Sequence, residues 1–76
     1  MSRQQKLDEL ALAEQHIHEF KRRISDQEGR ILELEGGGHS TEQARQLFAE
    51  FGESLRLALE HREILLRELA SLNSND

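Results

Sequence analysis

Apolar residues recur at alternating steps of three and four along this chain, and a run of three glycines interrupts the pattern near its middle. Before the glycines these residues are Leu10, Ala13, Ile17, Phe20, Ile24, Ile31 and Leu34. After the glycines they are Ala44, Phe48, Phe51, Leu55, Ala58, Leu65, Leu69 and Leu72. Such spacing is typical of helices that pack against other helices. It predicts two long helices, at about residues 3–35 and about residues 41–72.

The ends of both predicted helices carry capping signals. Ser2 and Ser40 each precede a Gln by three residues, the spacing of a capping box in which the Ser hydroxyl accepts a backbone hydrogen bond. Glycine disfavours helix continuation and adopts the left-handed conformation that closes helices. The turn is therefore assigned to Gly36, Gly37, Gly38 and Ser40, in a loop over residues 36–40.

A second candidate break lies inside the first helix, where the segment SDQEG at residues 25–29 contains a possible cap and Gly29. The apolar spacing stays in phase from Ile24 to Ile31 across this segment. A real break would reset that phase, so the first helix is predicted to continue through Gly29.

A loop this short returns the second helix antiparallel to the first. The predicted fold class is therefore all-α, a single helical-hairpin domain over residues 1–76 with a frayed tail at residues 73–76. The line along which the two helices meet is called the seam below.

Two polar residues, Gln27 and Arg62, occupy positions where the spacing calls for an apolar residue. They could form a buried polar pair that sets the register of the hairpin. Alternatively, each side chain could reach the edge of the seam, since Arg has a long apolar stem. The sequence leaves both interpretations open.

The second helix carries more apolar residues than one seam can bury. A surface for self-association is therefore predicted from Leu47, Leu55, Leu59, Ile64, Leu66 and Leu69. The simplest closed assembly is a homodimer with two-fold symmetry, which would form a four-helix bundle. An unrelated helical protein is the alternative partner for the same surface.

Charge and composition disfavour other classes of partner. The formal net charge is −5, and the basic run from Lys21 to Arg23 spreads over about 200° of a helix, so a nucleic-acid partner is not expected. No apolar run approaches the roughly 20 residues of a membrane span, so no membrane partner is expected. The chain has no Cys, which fits a reducing compartment, and the predicted localisation is cytoplasmic.

No pattern predicts a catalytic, cofactor or metal site. His16 and His18 are separated by about 200° around a helix, so they cannot chelate one ion. Glu14 and His18 have the i, i+4 spacing of a two-ligand metal site, but chance also produces this spacing in a charged helix. His61 is expected to be solvated beside the seam. The three glycines lack the Lys of a phosphate-binding loop. The chain is therefore predicted to be no enzyme and to bind no cofactor or metal.

Two resemblances add to this interpretation. In helix number, helix length and heptad pattern the chain resembles the repressor of primer (Rop) proteins, in which two-helix chains dimerise into a four-helix bundle that binds an RNA pair. This resemblance implies an RNA-binding regulator as an alternative function, without matching RNA-contact residues. The stretch HSTEQARQLFAEFGESLRLALEHREILLREL, residues 39–69, is similar to a pattern in small uncharacterised bacterial proteins, particularly from alpha-proteobacteria. It implies a bacterial cytosolic protein.

Overall fold

The computed structural model describes residues 2–74, the side chain of residue 74 excepted. Helix α1 spans Arg3–Gly36 and helix α2 spans Glu42–Ser74, and the part of the chain described contains no strand. The two helices pack side by side into a rod whose Cα atoms extend over 61 × 14 × 14 Å. The prediction of an all-α chain with two long helices is confirmed.

Contacts at both ends of the rod show that the helices run antiparallel. At the open end, Lys6 of α1 contacts Glu68 of α2, with 2.6 Å between Lys6 Nζ and Glu68 Oε2. At the loop end, Arg45 Nη2 lies 2.9 Å from Glu35 Oε1. The chain is therefore a helical hairpin in which the beginning of α1 lies beside the end of α2.

The first helix begins at a cap and continues without a break. Ser2 has extended backbone dihedral angles, and its hydroxyl accepts a hydrogen bond from the backbone N–H of Gln5 at 3.2 Å. This bond satisfies one of the N–H groups that the first turn of a helix leaves unpaired. Residue 29 lies inside α1, as the phase of the apolar spacing predicted, and a methyl group added at Gly29 would meet no atom within 4 Å.

Two backbone hydrogen bonds close α1 in a Schellman motif. Gly38 adopts a positive φ of 73°, and its N–H donates to the carbonyl oxygen of Glu35 at 3.1 Å. The N–H of His39 donates to the carbonyl oxygen of Leu34 at 2.9 Å. A residue with left-handed dihedral angles just after a helix allows these two hydrogen bonds to form. The left-handed glycine is thus the third of the run, and Gly36 remains helical.

The boundaries of the loop and of α2 differ slightly from the prediction. The connection between the helices covers residues 37–41, one residue later than predicted, because the left-handed position falls on Gly38. Ser40 Oγ accepts a hydrogen bond of 3.4 Å from the backbone N–H of Glu42, the first residue of α2. At the other end α2 continues through Ser74, beyond the predicted end at residue 72. Residues 75 and 76 of the predicted frayed tail lie outside the described residues.

The core of the hairpin is the predicted seam. Five apolar side chains of the seam are buried, namely Ala13, Ile17, Ile31, Leu65 and Leu69. The other apolar positions of the repeat are half-buried, namely Leu10, Phe20, Ile24, Leu34, Ala44, Phe48, Phe51, Leu55, Ala58 and Leu72. Two helices can bury side chains only along one line, so much of the remaining surface of each helix stays in water.

Candidate interaction surface

Large apolar side chains that neither helix covers are the most distinctive feature of the surface. Among the described residues these are Leu12 and Leu32 on α1, and Leu47, Leu57, Ile64 and Leu66 on α2. The exposed fractions of Leu57, Ile64 and Leu66 are 52%, 52% and 41%. Much of each of these side chains stays in water when α1 and α2 pack together.

The residues predicted to form a self-association surface are unequally accessible in the hairpin. Those that are exposed or half-buried are Leu47, Leu55, Leu59, Ile64 and Leu66. Leu69, by contrast, is only 7% exposed and belongs to the core between the helices. Because it follows Leu65 by four residues in the seam, α1 already covers it. Leu69 therefore offers almost no surface to a second molecule.

The exposed apolar side chains of α2 lie on two sides of the helix. Successive helical residues turn by about 100°, so Ile64 and Leu66 point about 160° apart. At steps of three and four, the side that contains Leu66 comprises Ala49, Gly52, Arg56, Leu59, Glu63, Leu66 and Ala70, called here the Leu59 stripe. The opposite side comprises Leu47, Glu50, Ser54, Leu57, His61, Ile64 and Glu68, called here the Ile64 stripe. One flat partner surface can cover only one of these stripes.

A lysine occupies the seam at the open end of the hairpin. Lys6 is 7% exposed, and its Nζ lies 2.6 Å from Glu68 Oε2 and 3.9 Å from Glu9 Oε2. The hydrogen bond to Glu68 raises the pKa of the Lys6 amine, the burial of the amine opposes this, and the charges of both carboxylates add to the increase. The apolar spacing does not predict this ion pair, although Lys6 lies four residues before Leu10 and therefore in phase with the seam.

The two polar residues that interrupt the seam do not meet each other. Gln27 Nε2 donates a hydrogen bond to the carbonyl oxygen of Ala44 at 2.9 Å, so Gln27 crosses the seam toward the loop end of α2. Arg62 lies nearer the open end, and its buried Nε has no hydrogen-bond partner among the described residues. The interpretation of Gln27 and Arg62 as one buried pair is therefore wrong, and a separate effect of each on register stays a prediction.

Two of the histidines come close together across the seam. His16 and His61 line one shallow groove with Glu9, Leu12 and Ala13. Within the described residues no group of three or more His, Cys, Asp or Glu side chains is arranged to hold a metal ion. The groove thus lies on the side of the Ile64 stripe, since it contains His61.

The basic run of α1 is partly neutralised by its neighbours. Arg23 Nη2 lies 2.9 Å from Glu19 Oε1, and the guanidinium of Arg23 lies 5.8 Å from the centre of the Phe20 ring. Lys21 and Arg23 are two residues apart, so they point to different sides of α1. The run does not form the continuous positive face that a phosphate backbone attracts.

A charged cluster lies at the centre of the Leu59 stripe. Arg56 donates to both carboxylate oxygens of Glu53 and, through Nη1, to Glu60 Oε1. The hydrogen bond to Arg56 lowers the pKa of the Glu53 carboxyl, and the positive charge of Arg56 adds to the effect. The same contact, with the charges of both carboxylates, raises the pKa of the Arg56 guanidinium.

Comparison of the chain with protein-family models, curated proteins and solved structures found no match. Neither α1 nor α2, over the residues described, has a stretch apolar enough to cross a lipid bilayer.

Proposed function

We propose that this protein is a non-enzymatic interaction module that acts in the cytoplasm by self-association, with two hairpins packing into a four-helix bundle. The proposal rests on the apolar surface of α2 that α1 leaves uncovered. A regulatory role would follow if the dimer and the single hairpin present different surfaces to other molecules.

The accessible surface of the single chain carries the proposal. That surface measures 5669 Å², whereas a compact protein of 8.8 kDa is expected to expose about 4,800 Å². The excess of roughly 900 Å² is close to the ~800 Å² that each partner buries in a stable protein–protein interface. A second hairpin packed against the first would therefore bring the exposed area into the normal range.

The kind of surface supports the same proposal. Among the residues that the structure describes, four of the six exposed large apolar side chains belong to α2. Covering a half-exposed Leu or Ile side chain contributes about 1 kcal/mol through the hydrophobic effect. The apolar side chains of one stripe on each copy, together with the half-buried seam residues beside them, would favour association over an isolated hairpin.

Sedimentation velocity over a range of micromolar concentrations tests the proposal. A dimer is expected for the wild-type chain, and the variant Leu66→Asp is expected to sediment as a monomer because the carboxylate would be buried in the dimer. The control is Gln46→Asp, which places the same charge on an exposed position outside both stripes of α2. Glu53 is unsuitable as a control because it binds Arg56.

A wild-type chain that remains monomeric and fully helical at all these concentrations would remove the proposal. In that case the uncovered surface of α2 would require an unrelated helical protein as its partner. Equal weakening by Leu66→Asp and Gln46→Asp would show that charge alone, rather than burial of Leu66, controls association.

A further inference from the structure

We propose that the second copy packs antiparallel along the Leu59 stripe, with the two-fold axis near Leu59, so that Arg56 of each chain pairs with Glu63 of the other. This inference rests on the proposed self-association and adds which side of α2 is buried and what recognises the second copy. The Ile64 stripe then remains on the outside of the dimer.

The spacing of the Leu59 stripe suits a second helix. Its members follow one another at steps of three and four, as the members of the seam do, so a straight helix can lie along them. Leu66 is 41% exposed, and a methyl group added at Gly52 would meet no atom within 4 Å. Leu66 and the half-buried Leu59 can therefore enter the contact with the partner, while the small Gly52 lets the two backbones approach.

The charges of the stripe are self-complementary in an antiparallel arrangement. Arg56 lies three residues before Leu59, and Glu63 lies four residues after it. A two-fold axis near Leu59 therefore brings Arg56 of one copy within about one helical turn of Glu63 of the other, and the symmetry repeats the contact. Each opposite-charge contact fixes orientation and register more than it adds affinity.

Both groups still have bonding capacity in the single chain. The contacts with Glu53 and Glu60 use three of the five N–H donors of the Arg56 guanidinium, so two remain. Glu63 is exposed and makes no ion pair within residues 2–73. A carboxylate from a second copy can therefore bind Arg56 without displacing its neighbours on α2.

Among the described residues, the Ile64 stripe contains three of the four exposed large apolar side chains of α2, but its charges are less suited to pairing with itself. Its charged members, Glu50 and Glu68, are both acidic, and it contains no Lys or Arg. Lys6 already pairs with Glu68 inside the hairpin. A dimer through this stripe would gather four carboxylates without bringing in a new basic partner for Glu50.

The size of one face of the hairpin is sufficient for a stable dimer. A face of 61 by 14 Å covers roughly 850 Å², close to the ~800 Å² per partner of a standard interface. With the axis near the middle of α2, the two hairpins overlap over most of their length.

Exchange of the paired charges tests the inference. In Arg56→Glu homodimers, a carboxylate at position 56 of one chain faces the Glu63 carboxylate of the other. In Glu63→Arg homodimers, the Arg56 guanidinium of one chain faces a guanidinium at position 63 of the other. Each homodimer is expected to dissociate about tenfold more readily than the wild type, as two reversed charge contacts imply. A mixture of the two variants restores both contacts and is expected to form a heterodimer with wild-type affinity.

The matched control is Glu50→Arg, which makes the same change of charge on the Ile64 stripe. Both Glu50→Arg and Glu63→Arg reduce the net negative charge, so nonspecific repulsion between chains would weaken equally in both. Only Glu63→Arg is expected to weaken the homodimer. Circular dichroism of every variant establishes that the helices remain folded.

Sedimentation equilibrium of the variants and of their mixture gives distinct outcomes. A monomeric wild-type chain would overturn the proposed function and this inference together. A dimeric wild type whose affinity is reduced by Glu50→Arg, or whose Arg56→Glu and Glu63→Arg mixture fails to form a heterodimer, would overturn this inference and leave self-association intact.

Discussion

Lys6 takes a place in the seam that the repeat assigns to an apolar side chain. Its amine is covered by the two helices and is held 2.6 Å from Glu68. A buried amine that keeps its charge needs a carboxylate partner. That partner, Glu68, lies at only one position along α2. The pair therefore selects the register of the open end of the hairpin, where no loop constrains the helices.

The Lys6 pair makes the stability of the fold depend on alkaline pH. Because the pKa of Lys6 is raised in the folded state, its contribution is complete below the ordinary value of 10.5 and is lost as the pH rises through the higher folded value. The chain has no Tyr or Cys to titrate in this range. Thermal unfolding between neutral pH and about pH 12 is expected to show a falling midpoint for the wild type.

The variant Lys6→Met keeps the length and apolar stem of the side chain and removes the amine. Its unfolding midpoint is expected to vary less over the same alkaline range, with Lys21→Met as the control that should follow the wild type. A parallel fall in the wild type and Lys6→Met would mean that the Lys6 pair does not contribute to stability.

Individual residues also show which contacts the sequence could predict. The apolar seam positions follow from their spacing alone, and all of them are buried or half-buried. Lys6 was missed because a charged residue carries no apolar signal, even though it lies in phase with Leu10. The partner of Gln27 was not predictable either, since a backbone carbonyl such as that of Ala44 leaves no mark in a sequence.

At the scale of the elements, the three glycines between the helices have different conformations. Gly36 is helical, Gly37 has right-handed dihedral angles with the His39 ring nearby, and Gly38 is left-handed. The sequence predicted that a glycine would close α1, but three adjacent glycines are chemically identical. Only the hydrogen bonds from Gly38 and His39 back to α1 distinguish them.

Alanine substitutions at two of these glycines are expected to have opposite effects. Gly36→Ala should raise the free energy of unfolding by about 0.5–1 kcal/mol, because the position is helical and the added methyl group meets nothing within 4 Å. Gly38→Ala should lower it by about 1–2 kcal/mol, because its φ of 73° is costly for a residue with a Cβ atom. Urea denaturation of both variants measures these changes, and effects of equal sign would contradict the closure of α1 by a left-handed Gly38.

At the scale of the whole molecule, the long shape and the small core have one cause. Within residues 2–73, two helices that meet along one seam bury five apolar side chains deeply and leave much of both stripes of α2 in water. The sequence indicated this excess of apolar residues but not its division into two sides. That division depends on which face of α2 packs against α1, and this face includes Leu69, which the sequence alone places both in the seam and in the self-association surface.

The proposed dimer also links stability to concentration, because mass action favours the folded dimer over two unfolded chains. For two chains of 76 residues, the unfolding midpoint is expected to rise by roughly 10 °C over a hundredfold increase in concentration. Leu66→Asp should unfold at a lower temperature that does not change with concentration, since a monomer unfolds without dissociating. Gln46→Asp should retain the wild-type slope. Differential scanning calorimetry measures the midpoints of all three proteins, and a wild-type midpoint that is independent of concentration would mean that the hairpin folds alone.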